Sequence, residues 1–468
     1  MSASLLTVAV ATALLGEPRA DALGSVSLAE QVGEVPTGNA TGSSALTFDT
    51  ILRPRLRLRL AEEAWSMALN YEPRFLLRYQ DLGNGLQALE ANGRPFLMFH
   101  TLDGQTDTLL APRWRWTNRL SGQFGEQDIQ SFLQSQNPAG QVDTSVIESQ
   151  TFGVVSTLIG PLIGRNDFRT EARFQLSFQD PATGMSAAQS TASGDTLCFA
   201  EPDGPAEDSL AAIANTCQIG VGTGTIHNLT ELDRLEIFAG YDIFDFDPGP
   251  FVHVIDASVL WRRTFTRTLE LRTQLGGLLT FNARPRAEED DFQPLPLLNL
   301  GLLWRLVDLR LFRLELDMLA GADGYAEPVS RRYLLRASAT ISLIATIQRD
   351  VSVAFRINGF TLGPEENCPP RQVAVAGLEA SQCPDQLNEE ILSAEITDLS
   401  SFASELSLTW RVDRQLNLMA SGRYGFRGPH ITRWGIDTGT ANVSQSQREI
   451  TAQVGLQVLF GTNNNLSL

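Results

Sequence analysis

Residues 53–60 read Arg-Pro-Arg-Leu-Arg-Leu-Arg-Leu, and only one kind of backbone sorts them cleanly. Successive side chains of a strand point to opposite faces, which puts Arg55, Arg57 and Arg59 on one side and Leu56, Leu58 and Leu60 on the other. A helix would scatter both sets around its circumference. The same alternation returns along the chain. Phe168, Ala172, Phe174, Leu176 and Phe178 alternate with Arg169, Glu171, Arg173, Gln175 and Ser177. Leu269, Leu271 and Leu275 alternate with Glu270, Arg272 and Gln274, and Leu406, Leu408 and Trp410 with Glu405, Ser407, Thr409 and Arg411. Ile450, Ala452, Val454, Leu456, Val458 and Phe460 close the chain in the same way. Such runs exceed the roughly 5–6 residues of a soluble strand. They match the roughly 9–11 residues that a tilted strand needs to cross a bilayer.

The connections alternate in length as well. Short turns are expected near Glu62-Glu63, Ala111-Pro112, Pro161 to Asn166, Asp233-Arg234, Thr266-Arg267, Val307-Asp308, Gln348 to Asp350 and Asp413-Arg414. Long polar loops are expected near 34–43, 80–93, 125–148, 181–222, 282–293, 322–330, 362–396 and 428–446, with one further short loop at Asp247 to Pro250. Short turns at one end and long loops at the other characterise bacterial membrane barrels, whose strand number is even. The fold class predicted is therefore all-β: a transmembrane antiparallel up-and-down β-barrel of about 18 strands, with 16 as the fallback. Segment 24–33 is the weakest strand in the pattern and is needed to keep the count even. Trp65, Trp114, Trp116, Trp261, Trp304 and Trp410 fall near strand ends, where an interfacial girdle belongs.

Residues 1–22 read as a secretory signal. Leu5 to Leu15 is a short apolar run and Ala20-Asp21-Ala22 a small-x-small cleavage site, although no positive charge precedes the run. Residues 23–468 then form a single barrel domain. Cys198 and Cys217 share one polar segment, and Cys368 and Cys383 another; close pairs in loops of an exported chain predict local disulfides. The spacing is wrong for zinc, and no metal or cofactor is expected. Acidic loop stretches such as Glu288-Glu289-Asp290-Asp291 lack the ligand spacing of a calcium loop.

The formal net charge of −18 disfavours nucleic acid as a partner. The sequence has no lysine, so its 36 basic residues are all arginine, a permanently charged, bidentate binder of anions. An arginine facing mid-membrane lipid costs roughly 2–4 kcal/mol, so alternation assigns these residues to the lumen. Lumen or constriction candidates are Arg53, Arg55, Arg57, Arg59, Arg113, Arg115, Arg336, Arg356, Arg411 and Arg423, with Glu171, Glu270 and Glu405 sharing the inner face. Arg262, Glu236, Asp242, Asp256, Glu315 and Asp317 are expected on that face too. Charged walls of this kind select solutes by sign. The four histidines, His100, His227, His253 and His430, belong to no nucleophile motif, and Gly-x-Ser-x-Gly does not occur. No catalytic residue and no enzyme activity is expected.

The alternating strands, the short turns Leu232-Asp233-Arg234 and Val412-Asp413-Arg414, and the closing strand Glu449 to Phe460 together resemble the large outer-membrane β-barrel proteins of Gram-negative bacteria. That closing strand resembles the family's C-terminal assembly signal, although Gly461 to Leu468 follow its aromatic. The resemblance implies an integral, porin-like outer-membrane protein with lipid and lipopolysaccharide around it and the barrel-assembly machinery as a partner. It further implies extracellular long loops and a periplasmic C-terminus. Size and strand count also resemble, more faintly, barrels of gliding soil bacteria proposed to pass secreted polysaccharide. The expected function is a channel or export conduit for polar solutes, an anionic polysaccharide among them. The alternatives are a structural or surface-interaction barrel with a closed lumen, plugged by loop 181–222, and an outer-membrane hydrolase.

Overall fold

The computed structural model describes residues 19–36, 44–81, 86–88, 96–128, 146–181, 215–247, 251–282, 292–327, 332–348, 350–362, 400–427, 430–434, 441–444 and 447–461. They form twenty-one strands and no helix. The strands are β1 (Arg19–Pro36), β2 (Ser44–Ala61), β3 (Trp65–Asp81), β4 (Leu86–Ala88), β5 (Leu97–Ala111), β6 (Trp114–Asp128), β7 (Val146–Pro161), β8 (Asp167–Pro181), β9 (Asn215–Asn228), β10 (Asp233–Asp247) and β11 (Phe251–Thr266). They continue as β12 (Leu269–Asn282), β13 (Gln293–Asp308), β14 (Phe312–Glu327), β15 (Arg332–Ile347), β16 (Val351–Leu362), β17 (Ser400–Arg411), β18 (Leu416–Arg427), β19 (His430–Trp434), β20 (Ala441–Ser444) and β21 (Gln447–Gly461). β4 only lengthens the edge of β3, and β19 with β20 forms a separate hairpin. The other eighteen strands pair antiparallel with their sequence neighbours all the way round. β1 then pairs with both β2 and β21, which closes the barrel. The weak segment 24–33 is the middle of β1, and eighteen rather than sixteen is the count. β1 starts at Arg19, so residues 19–22 of the expected leader are paired with β2.

Alternation is what makes the barrel a membrane structure. On β2, Leu46, Phe48, Leu52 and Leu56 are exposed, while the intervening Thr47, Asp49 and Ile51 are buried. Exposed apolar residues continue round the outside, among them Phe152, Phe174, Val221, Ile255, Leu300, Leu406 and Val454. In water so large an apolar surface would associate; in lipid it is solvated, and closure leaves no unpaired strand edge. Trp114, Trp116, Trp304 and Trp410 form an exposed girdle near the short-turn end. A second outward belt lies near the long-loop end. There His100 stacks between Tyr71 and Phe124, and His253 between Tyr241 and Phe281.

The eight short turns lie within a few residues of where the sequence puts them; Asp233-Arg234 and Val307-Asp308 themselves belong to β10 and β13, and the turns there are 229–232 and 309–311. The long-loop end holds a departure. The sequence places a loop at 322–330, yet β14 runs on to Glu327 and pairs with β15 from Arg332. Above Ala322 this hairpin is no longer bonded to β13, and before Arg336 it is no longer bonded to β16. Freed from both neighbours, the tip leans into the barrel. Tyr333 packs against Phe244 of β10, with ring centroids 5.2 Å apart. Ala326, Leu335 and Leu297 join an apolar cluster of Phe244, Phe246, Val252, Val254, Leu278 and Leu295. Burying one such side chain stabilises by roughly 1.5–3 kcal/mol, which is sufficient reason for the tip to leave the wall.

Candidate functional site

Strand register fixes which side chains share the bore. On β2 the inner face carries Asp49, Arg53, Arg55, Arg57 and Arg59. Asp49 is buried near the long-loop end, where Arg78 of β3 grips it with two hydrogen bonds, Nε to Oδ1 at 2.8 Å and Nη2 to Oδ2 at 2.9 Å. The arginines nearer the short turn are treated differently. Arg55 donates to Asn70 Oδ1 at 2.8 Å and lies 3.7 Å from Glu72. Arg57 and Arg59 are exposed and have no hydrogen-bond or ion-pair partner among the described residues. Arg356, Glu405 and Arg423 sit opposite one another on β16, β17 and β18, with both arginines exposed. Arg411 lies on the same face as Glu405, and its Nε has no partner. Arg55, Arg57, Arg59, Arg356 and Arg423, exposed on the inner face, have open space around them.

The wall formed by β8 to β12 is built the other way. Arg169, Glu171 and Arg173 of β8 stand directly opposite Gly224, Gly222 and Gly220 of β9. With no side chains on that stretch of β9, the β8 groups lie flat and reach β10 and β11. Arg173 Nη2 is 3.0 Å from Asp242 Oδ2 and 3.8 Å from Asp256 Oδ1. Arg169 bonds Glu171 at 2.5 Å and also binds Glu236. Both guanidinium groups lie over the Phe238 ring, at 5.5 and 6.0 Å from its centroid. A side chain on Gly222 would collide with that ring, and one on Gly240 with Asp256. Further along, Glu270 is shared by Arg262 and Arg272 at 2.7 and 2.5 Å.

Between this cluster and the hairpin tip lies a cavity of about 310 Å³, open to the bore. Arg169, Arg173 and Asp256 form its wall, and Gly324 and Tyr333 of the tip face them. Arg336 is held in the tip by Asp323 with bonds of 3.0 and 2.9 Å and lies over Tyr325. Arg115 is bound to Asp107 at 2.8 Å on the inner face of β5 and β6. Arg113 has a different place from the one alternation gave it. Pro112 and Arg113 are the whole β5–β6 connection, Arg113 has a φ of 76°, and its guanidinium reaches the next turn at Asp167. It is a rim residue, because a two-residue turn ends the alternation.

His100 and His253 accept or donate at Nδ1 with the hydroxyls of Tyr71 and Tyr241, at 2.7 and 2.6 Å, on the outer face. His227 bonds Thr225. Cys217 is buried at the start of β9 and disulfide-bonded. Cys198, Cys368, Cys383 and most of loop 181–222 lie outside the described residues. Sequence reasoning missed the glycine bed, although Gly220-x-Gly222-x-Gly224 is visible as a strand whose inner face has no side chains. It also missed the buried Asp49–Arg78 pair and the inward hairpin.

The architecture is that of a closed, eighteen-stranded transmembrane β-barrel. No family model matches the chain, and no curated protein matches it. Among solved structures, it is similar to Pseudomonas aeruginosa OccK2 (OpdF) in complex with glucuronate, at 11% identity and a TM-score of 0.40 over 95% of this chain and 98% of that one. It is similar to Pseudomonas aeruginosa OpdK with vanillate at 9% identity and a TM-score of 0.38, over 95% and 99% of the two chains. Acinetobacter baumannii OccAB2 gives 8% identity and a TM-score of 0.40, over 95% and 98%. A likeness at this level transfers neither solute nor site residues.

Proposed function

We propose that this protein is an outer-membrane diffusion channel for small polar solutes, with a bore polarised across its width and narrowed by the β14–β15 tip. The carrying observation is the set of exposed inner-face arginines, Arg55, Arg57, Arg59, Arg356 and Arg423, on β2, β16 and β18. The carboxylate-rich cluster stands roughly across the bore on β8, β10 and β11. Opposed charged walls pass hydrated solutes while sorting them by sign, and an 18-stranded barrel leaves an aqueous bore. The short turns face the periplasm in this reading, the long loops face outward toward lipopolysaccharide, and residues 1–22 act as the export leader. Cys198–Cys217 and Cys368–Cys383 pin their loops. The barrel-assembly machinery inserts the chain. Passage of an anionic polysaccharide would use the arginine side, but the inward tip favours smaller solutes.

Reconstitution into planar bilayers tests the channel: stepwise single-channel currents are expected, and their absence from folded protein overturns the reading. The tip and its apolar cluster favour a second reading, a closed surface barrel. Under that reading current appears only after the tip is shortened.

A further inference from the structure

We infer that the cavity under the β14–β15 tip is a subsite for a neutral polyhydroxylated ring, a sugar, retained during passage. The inference deepens the channel reading by naming a solute class for the same bore.

The cavity combines three features. Its aromatic surfaces are Phe238 on the wall and Tyr333 on the tip, and the apolar C–H face of a sugar ring packs on such rings. Unpartnered polar groups of both kinds surround it. Arg169 Nε is a donor without a hydrogen-bond acceptor, Arg173 Nε has Glu171 only at the ion-pair distance of 3.7 Å, and Asp256 Oδ1 is an acceptor whose nearest donor, Arg173 Nη2, stands 3.8 Å away. Buried polar groups normally have partners, and exceptions need an explanation. A hydroxyl both donates and accepts, so neighbouring hydroxyls on one ring complement both sets. The third feature is charge. Arg169 and Arg173 are outnumbered by Glu171, Glu236, Asp242 and Asp256, which opposes a carboxylate solute, while an ammonium, though drawn by that excess, has to displace Arg169 and Arg173 from the carboxylates they already hold. A neutral polyol meets neither penalty. The glycine bed opens the room for it, because the β8 ion pairs lie flat across β9.

The experiment uses the full chain folded in a sugar-free detergent, with heat-modifiable gel migration as the check on folding. Saturation-transfer NMR is recorded with glucose, glucuronate and glucosamine, three probes sharing a ring and differing in charge. Saturation of glucose is expected, with weaker effects for both charged probes. Asp256→Ala should weaken glucose binding about tenfold, the loss of one charge-assisted hydrogen bond. Tyr333→Phe keeps the ring on Phe244, removes only the hydroxyl, and should reduce binding by a smaller factor. Glucuronate or glucosamine binding more strongly than glucose overturns the inference, as does no saturation by glucose, or glucose binding indifferent to both substitutions. Bilayer recordings separate the two claims: sugar binding without current sinks the channel alone, and current without sugar binding sinks the subsite alone.

Discussion

Arg57 on β2 and Arg173 on β8 both point into the bore, yet their surroundings differ in every respect. Arg57 is exposed, with no described partner. Arg173 is 26% exposed, lies over a glycine strand and has Glu171, Asp242 and Asp256 within 4.0 Å. An arginine in high-dielectric surroundings costs the fold little and projects its field into the bore. One embedded among acids holds their like charges together, and the fold depends on it. The same residue type thus sets the potential of one wall and the cohesion of the other.

The contrast can be broken experimentally. The largest effect belongs to the tip that overhangs the clustered wall. Replacing Tyr325 to Leu334 by a short turn should raise single-channel conductance several-fold, and unchanged conductance would show that the tip is not the constriction. Next comes Arg173→Ala, which leaves three carboxylates facing one another. It should lower unfolding stability in lipid by roughly 3 kcal/mol, read from urea titration, because an uncompensated buried charge is expensive. A change below about 0.5 kcal/mol, typical of surface sites, would erase the distinction between the walls. Gly222→Val would push a side chain into the Phe238 ring. Overpacking of this kind costs about 1–3 kcal/mol, and the same titration measures it. Smallest in stability is the triple change of Arg55, Arg57 and Arg59 to Ser, within about 0.5 kcal/mol per position. Its effect should instead be on selectivity, with reversal potentials in a salt gradient moving toward cations. A large loss of stability with no shift in selectivity would make the ladder structural, like the β8 cluster.

The sequence revealed what period two controls. Strands, short turns and the inner or outer face of Arg55, Glu171, Glu270 and Glu405 follow from local alternation, and the register agrees with it. Alternation misplaces Arg113 because Pro112-Arg113 forms a turn, and a turn residue has no face. The inward tip was illegible for a different reason. Residues 323–327 and 332–336 pair with each other like any hairpin but carry no period-two pattern, and what sets them apart is the loss of bonding to β13 and β16 and the contact with Phe244, five strands away. The Asp49–Arg78 pair was likewise hidden, since it depends on which residues of β2 and β3 come abreast. The glycine bed was visible, but its meaning came only from the partners across the strand.

The seam between β1 and β21 has a consequence for how the molecule is made. Gln457 Nε2 donates to Ser25 Oγ at 3.4 Å across 432 positions of chain. β1 is synthesised long before β21, and until β21 arrives one of its edges has nothing to bond. The entropy of bringing such distant segments together grows only with the logarithm of their separation, so the delay costs time more than free energy. During that time an unpaired edge is a template for misassociation. The chain must therefore be held unclosed and shielded until its last strand is delivered. Truncating β21 would not leave a locally damaged barrel; it would leave an open sheet with two exposed edges.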